Sequence, residues 1–161
     1  MPNSLEIQVG QLLLARGLKL VLAESCTGGL LGSRITDVPG SSEYFLGGVV
    51  AYAYESKVEL LGVSWDTLNT RGAVSRETVL EMARGIRKLL KADIAISVSG
   101  IAGPGGATPD KPVGTTWIGL VTKDGEWAKT FRFSGDREGN KVSAVDSALT
   151  LLLEYLQRKE I

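Results

Sequence analysis

The run Leu20-Val21-Leu22-Ala23-Glu24-Ser25-Cys26-Thr27-Gly28-Gly29-Leu30-Leu31-Gly32 constrains this chain more than any other stretch. It begins apolar and reads as a buried strand. It then passes through polar residues and two glycines, and apolar residues return at Leu30, Leu31 and Ile35 with helical spacing. A strand entering a helix this way is the βα turn of an α/β protein. Such turns lie at the carboxyl end of the sheet, where ligand crevices form. Unpaired N–H groups at the helix start face an incoming anion or oxyanion. Ser25, Cys26 and Thr27 bring two hydroxyls and a thiol to this turn. The plainer reading is a structural turn in which Ser25 caps the helix.

The remaining elements follow from periodicity. Leu5, Val9, Leu12 and Leu13 recur at helical spacing, and Gly17 is placed to end that helix. Leu18–Ala23 is the first strand. The second helix runs from about Gly28 to Thr36 and stops before Pro39-Gly40. Gly48–Tyr54 reads as a second strand, and its near-continuous apolar character predicts burial on both faces. Glu55–Leu61 reads as a short helix closed by Gly62, and Ser64–Leu68 as a capped turn. Ser75 caps a helix whose stripe is Val79, Met82, Ala83, Ile86, Leu89 and Leu90. Asp93–Ser99 is the third strand. It enters a loop from Gly100 to Gly114, too long and too rich in glycine and proline for a mere connection. Thr115–Val121 and Glu126–Phe133 form a hairpin around Lys123-Asp124-Gly125. A last helix carries Val142, Val145, Leu149, Leu152 and Leu156 as its buried seam. This order predicts one layered α/β domain over residues 1–161, with a sheet made mixed by the hairpin.

Composition narrows the function. Lysine plus arginine equals aspartate plus glutamate, which disfavours a general nucleic-acid binder or a polybasic membrane binder. No stretch is long and apolar enough to span a membrane, and Met1–Glu6 lacks the layout of a signal peptide. The single cysteine forms no internal disulfide, and a reducing cytoplasm is the natural setting. There is no histidine. Ser-His-Asp and Cys-His catalysis are therefore excluded, and a zinc site is disfavoured. Any general base must be lysine, a carboxylate, tyrosine or water. If a serine or cysteine is the nucleophile, lysine leads as its activator.

Several short motifs occur together and in order. They are Glu24-Ser25-Cys26-Thr27-Gly28-Gly29, Gly40-Ser41-Ser42, Gly47-Gly48-Val49-Val50-Ala51-Tyr52 with Lys57, Leu60-Leu61-Gly62-Val63, Gly72-Ala73-Val74-Ser75, Ser99-Gly100-Ile101-Ala102-Gly103-Pro104, Lys111-Pro112-Val113-Gly114 and Gly135-Asp136-Arg137. With them the chain resembles the CinA C-terminal domain family, whose enzymatic members are nicotinamide-mononucleotide amidohydrolases. The resemblance covers almost the whole chain and implies the stand-alone form, without the further N-terminal domain of two-domain members. It implies a three-layer α/β/α fold with a mixed, mostly parallel sheet. It also implies hydrolysis of nicotinamide mononucleotide to nicotinic acid mononucleotide and ammonia, in pyridine nucleotide recycling, with no cofactor and no metal. The family's serine–lysine pair falls on Ser25 and Lys57, and a family tyrosine near the site falls on Tyr52. Tyr54, Ala107 and Lys141 depart from the common pattern, the last standing where an arginine is usual.

The chemistry demands a neutral amine. At the reference pKa only about one lysine in a few thousand is neutral at pH 7, and burial can lower that pKa by roughly 3–5 units. The expectation is that Lys57 is buried beside the second strand, against the alternative of a surface lysine on a short helix. Oxyanion donors are expected from Thr27, Gly28 and Gly29, or from Gly100, Ile101, Ala102 and Gly103. Lys111, Arg137 and Lys141 are the candidate phosphate contacts. Cys26 is a rival nucleophile, and Glu24 either orients Lys57 or simply ends the strand. The competing function is a nucleotide-binding or interaction module without turnover; a third is an amidase for another small amide or lactam. Trp117, Trp127 and Phe131 fit either a homo-oligomer surface or ordinary core.

Overall fold

A computed structural model of the protein describes residues 3–158. Met1 and Pro2, part of the stretch read above for a leader, and the last three positions of the predicted domain lie outside the described residues. The elements follow as α1 (Leu5–Arg16), β1 (Leu20–Glu24), α2 (Leu30–Thr36), β2 (Phe45–Val50), α3 (Tyr54–Leu61), α4 (Trp65–Arg71), α5 (Arg76–Leu90), β3 (Ile94–Gly100), β4 (Thr115–Thr122), β5 (Gly125–Arg132) and α6 (Arg137–Leu156). The strands form one sheet in the order β2-β1-β3-β4-β5. β1 pairs in parallel with β2 and β3, while β4 runs antiparallel to both β3 and β5. Only β4 therefore points against the rest, and the sheet is mixed and mostly parallel.

Strand alternation builds two cores. Leu20 and Leu22 of β1, Ile94, Ile96 and Val98 of β3, and Ile118 and Leu120 of β4 face α1, α2 and α6. Val21, Ala23, Ala95 and Val121 face the opposite way, onto α3, α4 and α5. A side chain's face alternates along a strand, so both layers are specified residue by residue. Each fully buried leucine or isoleucine contributes about 1.5–3 kcal/mol. The result is the three-layer α/β/α arrangement.

The caps form largely where the sequence puts them. Gly17 and Gly62 close α1 and α3 in the left-handed conformation. The hydroxyls of Ser64 and Ser75 accept from Thr67 and Thr78 N–H. Trp127 and Phe131 pack against the core beneath α6, as core residues would.

Three expectations are corrected. β2 spans Phe45–Val50 rather than Gly48–Tyr54, and its residues alternate between half-buried and exposed. It is the edge strand of the sheet, so apolar character there does not mean burial on both faces. α2 begins at Leu30, because Gly28 and Gly29 lie in the turn before it with φ of +61° and +105°. Val142 is exposed rather than part of the α6 seam.

Candidate active site

β1 ends at Glu24, and Ser25 is the first residue beyond it. Ser25 N–H donates to the Val98 carbonyl of β3, which holds the turn over the sheet's carboxyl end. The chain leaving β2 crosses above this point. Ala51 N–H donates to the Glu24 carbonyl at 2.8 Å, and α3 starts three residues later. That crossing drops Lys57, on the first turns of α3, into the gap beside Ser25.

Lys57 is fully buried, at 0 % exposure. Its amine lies 2.8 Å from Ser25 Oγ, 2.8 Å from the Ala51 carbonyl and 2.9 Å from the Tyr52 carbonyl. This geometry suits both states of the amine, since an ammonium donates to all three oxygens. A carbonyl only accepts, and a neutral amine has two hydrogens and one lone pair. In the neutral state two N–H groups satisfy Ala51 and Tyr52, and the lone pair is left to face the hydroxyl of Ser25. Burial lowers the Lys57 pKa from 10.5 to about 8, opposed by attraction to Cys26. The burial that the sequence reading required of this lysine is present.

Ser25 is 7 % exposed, and it does not cap α2. The N-cap of α2 is Gly29, which has no side chain to offer. The capping reading of this serine is thereby set aside. Cys26 is buried within the core on the α1, α2 and α6 side of the sheet. Desolvation pushes its thiol up to about 11, against the pull of Lys57 and of the Gly100 N–H. A thiol so placed is protonated at neutral pH and is a poor nucleophile.

Among the expected oxyanion donors, two are already engaged. Gly28 N–H donates to the Ser25 carbonyl, and Ile101 N–H donates to the Thr115 carbonyl. Among the described residues no acceptor holds the N–H of Thr27, Gly29, Ala102 or Gly103. The loop containing Ala102 and Gly103 is clamped to α6. Asn140 Nδ2 donates to the Ala102 carbonyl at 3.0 Å, and Arg137 Nη1 donates to the Gly103 carbonyl at 2.8 Å.

With this geometry in view, comparison with known proteins decides the family. The model of the CinA C-terminal domain matches residues 2–156. The chain belongs to the CinA C-terminal domain family. A CinA-like protein of Chlorobaculum tepidum is 51 % identical over 98 % of this chain and 38 % of its own length. The chain thus spans less than two fifths of the curated relatives it matches. A CinA superfamily protein of Klebsiella pneumoniae superposes with a TM-score of 0.92 at 38 % identity, covering 96 % of each chain. A competence damage-inducible protein A from another strain of that species gives 0.93 at 39 %, covering 97 % of each.

On this CinA fold the three expected phosphate contacts separate. Arg137 and Lys141, both on α6, line a cleft of about 350 Å³ with Leu30, Glu138 and Val142. A methyl group on Gly28 would sit 4.0 Å from the Lys141 amine, so this cation borders the Ser25 turn. Arg137 is committed within the fold: besides Gly103 it donates to the Tyr52 hydroxyl at 3.1 Å. Tyr52 is 58 % exposed and forms the rim above Lys57. Lys111 lies elsewhere in the network, its amine donating to the Arg71 carbonyl at the end of α4. It shares no hydrogen bond with Ser25, Arg137 or Lys141.

Glu24 and Asn140 are the polar residues that the sequence reading underrated. Each is 3 % exposed. Asn140 also accepts from Gly135 N–H, tying the loop before α6 to the loop after β3. Its sequence signal is an amide four residues before Ala144, in register with the buried face of a long helix. Glu24 makes no contact with Lys57; its carboxylate binds Thr27 and the start of α2 instead. Among the described residues no helix is long and apolar enough to cross a membrane.

Proposed function

We propose that this chain hydrolyses the carboxamide of nicotinamide mononucleotide, giving nicotinic acid mononucleotide and ammonia. The observation carrying this reading is the 2.8 Å approach of a buried lysine amine to a serine hydroxyl in a protein without histidine. Neutral Lys57 takes the Ser25 proton as Oγ attacks the amide carbon. Of the unengaged N–H groups, those of Thr27 and Gly29 share the turn with Ser25 and are the donors assigned to the oxyanion. The Lys57 ammonium then protonates the departing nitrogen, and ammonia leaves an ester on Ser25. Lys57, neutral again, deprotonates a water that attacks the ester. When the second tetrahedral species collapses, the ammonium returns the proton to Ser25 Oγ.

Lys141, bordering the turn and without an ion pair among the described residues, is the cation assigned to the substrate phosphate; Arg137 shapes the mouth through Gly103 and Tyr52. No step in this cycle needs a cofactor or a metal. The activity places the protein in pyridine nucleotide recycling, in the cytoplasm, with the mononucleotide as its partner. The test is ammonia release from nicotinamide mononucleotide by wild type and by Ser25→Ala. Turnover that disappears in Ser25→Ala supports the reading. Turnover retained in Ser25→Ala overturns the serine mechanism. Tight binding by calorimetry without turnover points to the binding module instead.

A further inference from the structure

The Glu24 carboxylate is buried, and among the described residues no cation lies within ion-pair distance of it. Three donors surround it. Oε1 accepts from Thr27 Oγ1 at 2.6 Å and from Leu31 N–H at 2.9 Å, and Oε2 accepts from Gly32 N–H at 3.0 Å. A Cβ at position 32 would stand 3.4 Å from Oε2, so the fit against Gly32 is close. Helix starts leave such N–H groups unpaired, and the residue at the N-cap normally answers them. Here Gly29 cannot, and the acceptor comes from the residue immediately before Ser25. One carboxylate thus joins the end of β1, the side chain of Thr27 and the first turn of α2. The nucleophile lies inside that closed ring.

This arrangement also divides the donors of the turn. The carboxylate takes the Leu31 and Gly32 N–H groups from inside the protein and satisfies the positive end of α2. Those groups are no longer available to a substrate. Within the turn the N–H groups of Thr27 and Gly29 stay unengaged, and their direction follows from how the turn is held.

We propose that Glu24 is a positioning residue: through Thr27 and the start of α2 it sets the backbone N–H groups that receive the oxyanion formed at Ser25. The proposal rests on the amidohydrolase reading for its substrate, but not for its test. Glu24→Gln is the informative variant. Glutamine keeps the shape but has one acceptor oxygen, and in either amide orientation its NH2 opposes Leu31 N–H or Gly32 N–H. One end of the ring must then shift. Displacement of reacting geometry by about 1 Å can cost roughly 100-fold in rate.

The experiment measures two rates per folded molecule, with folding checked by thermal melting. One is kcat and KM for nicotinamide mononucleotide. The other is phosphonylation of Ser25 by a fluorophosphonate, which needs the oxyanion donors but not the natural substrate. Glu24→Gln is expected to lower both kcat and the phosphonylation rate by about 10- to 100-fold. KM should stay within about twofold, and the ascending limb of the pH–rate profile should not move, because Glu24 does not touch Lys57. Thr27→Val, which removes one arm of the ring and leaves the carboxylate, should give a smaller loss in the same two rates. It serves as the test if Glu24→Gln does not fold.

Wild-type rates in either folded variant would overturn the proposal, as would a shifted pH limb. Labelling of wild-type Ser25 without turnover of the mononucleotide would refute the substrate and leave Glu24 to be judged on labelling rates. A wild-type Ser25 that is not labelled overturns both.

Discussion

Lys57 exchanges its proton near pH 8 in the folded protein and near 10.5 when exposed. The perturbation to apply is pH itself, read on both activity and stability. At pH 7 a pKa of 8 leaves about one amine in eleven neutral, against about one in three thousand at 10.5, a gain of roughly 300-fold in active base. kcat/KM should therefore rise about tenfold per pH unit below 7 and level off above about 8.5. The same shift must appear in folding. A cation whose folded pKa is lowered binds fewer protons folded than unfolded between pH 8 and 10.5. Stability then rises with pH across that window. The full penalty, present below pH 8, is about 3 kcal/mol, and about 2 kcal/mol of it should be recovered between pH 8 and pH 10. Urea unfolding of wild type and Lys57→Met at pH 7, 8, 9 and 10 isolates this contribution, since other groups titrate alike in both. The gap between the two curves should change by that amount in favour of wild type as pH rises. Parallel curves, or a kcat/KM still climbing at pH 10, would refute the argument that burial makes this amine a base.

Other outcomes follow from single contacts. Cys26→Ala should keep most turnover, since a thiol raised to about 11 is not ionised at pH 7; loss as complete as in Ser25→Ala would reinstate the cysteine. Lys141→Ala should raise KM for nicotinamide mononucleotide by about tenfold or more while leaving the phosphate-free riboside unaffected, as expected for one charged contact. Equal effects on both compounds would remove Lys141 from phosphate recognition. Gly85→Ala should destabilise the fold by about 3 kcal/mol or more, measured by urea unfolding. A Cβ there would stand 1.8 Å from the Leu61 carbonyl, where α5 crosses α3. A neutral effect would refute the close packing of α5 on Leu61.

Much of the fold was legible because its signals are local. Caps at Gly17, Gly62, Ser64 and Ser75 depend on residues three or four apart, as do helical stripes. The hairpin at Lys123-Asp124 was readable for the same reason. β2 was misplaced because an apolar run looks the same on an edge strand and in the middle of a sheet. That distinction is made by which strand lies alongside, and the run itself does not record it. The candidate site was legible in its residue types but not in its wiring. Lys111 and Arg137 look alike as basic residues near glycine-rich loops. Packing gives one to the end of α4 and the other to Gly103 and Tyr52.

The amino-acid sequence alone bounded the chemistry open to this protein: a hydroxyl on a strand-to-helix turn, no imidazole, and a base limited to lysine, a carboxylate, tyrosine or water. Tertiary structure decided which lysine stands beside that hydroxyl and how little water surrounds it. Ser25 and Lys57 lie 32 positions apart, and only the crossing from β2 to α3 buries that amine and brings it against two carbonyls and the serine hydroxyl. Residue type is a local property, whereas proximity and loss of water come from packing between segments distant in the chain.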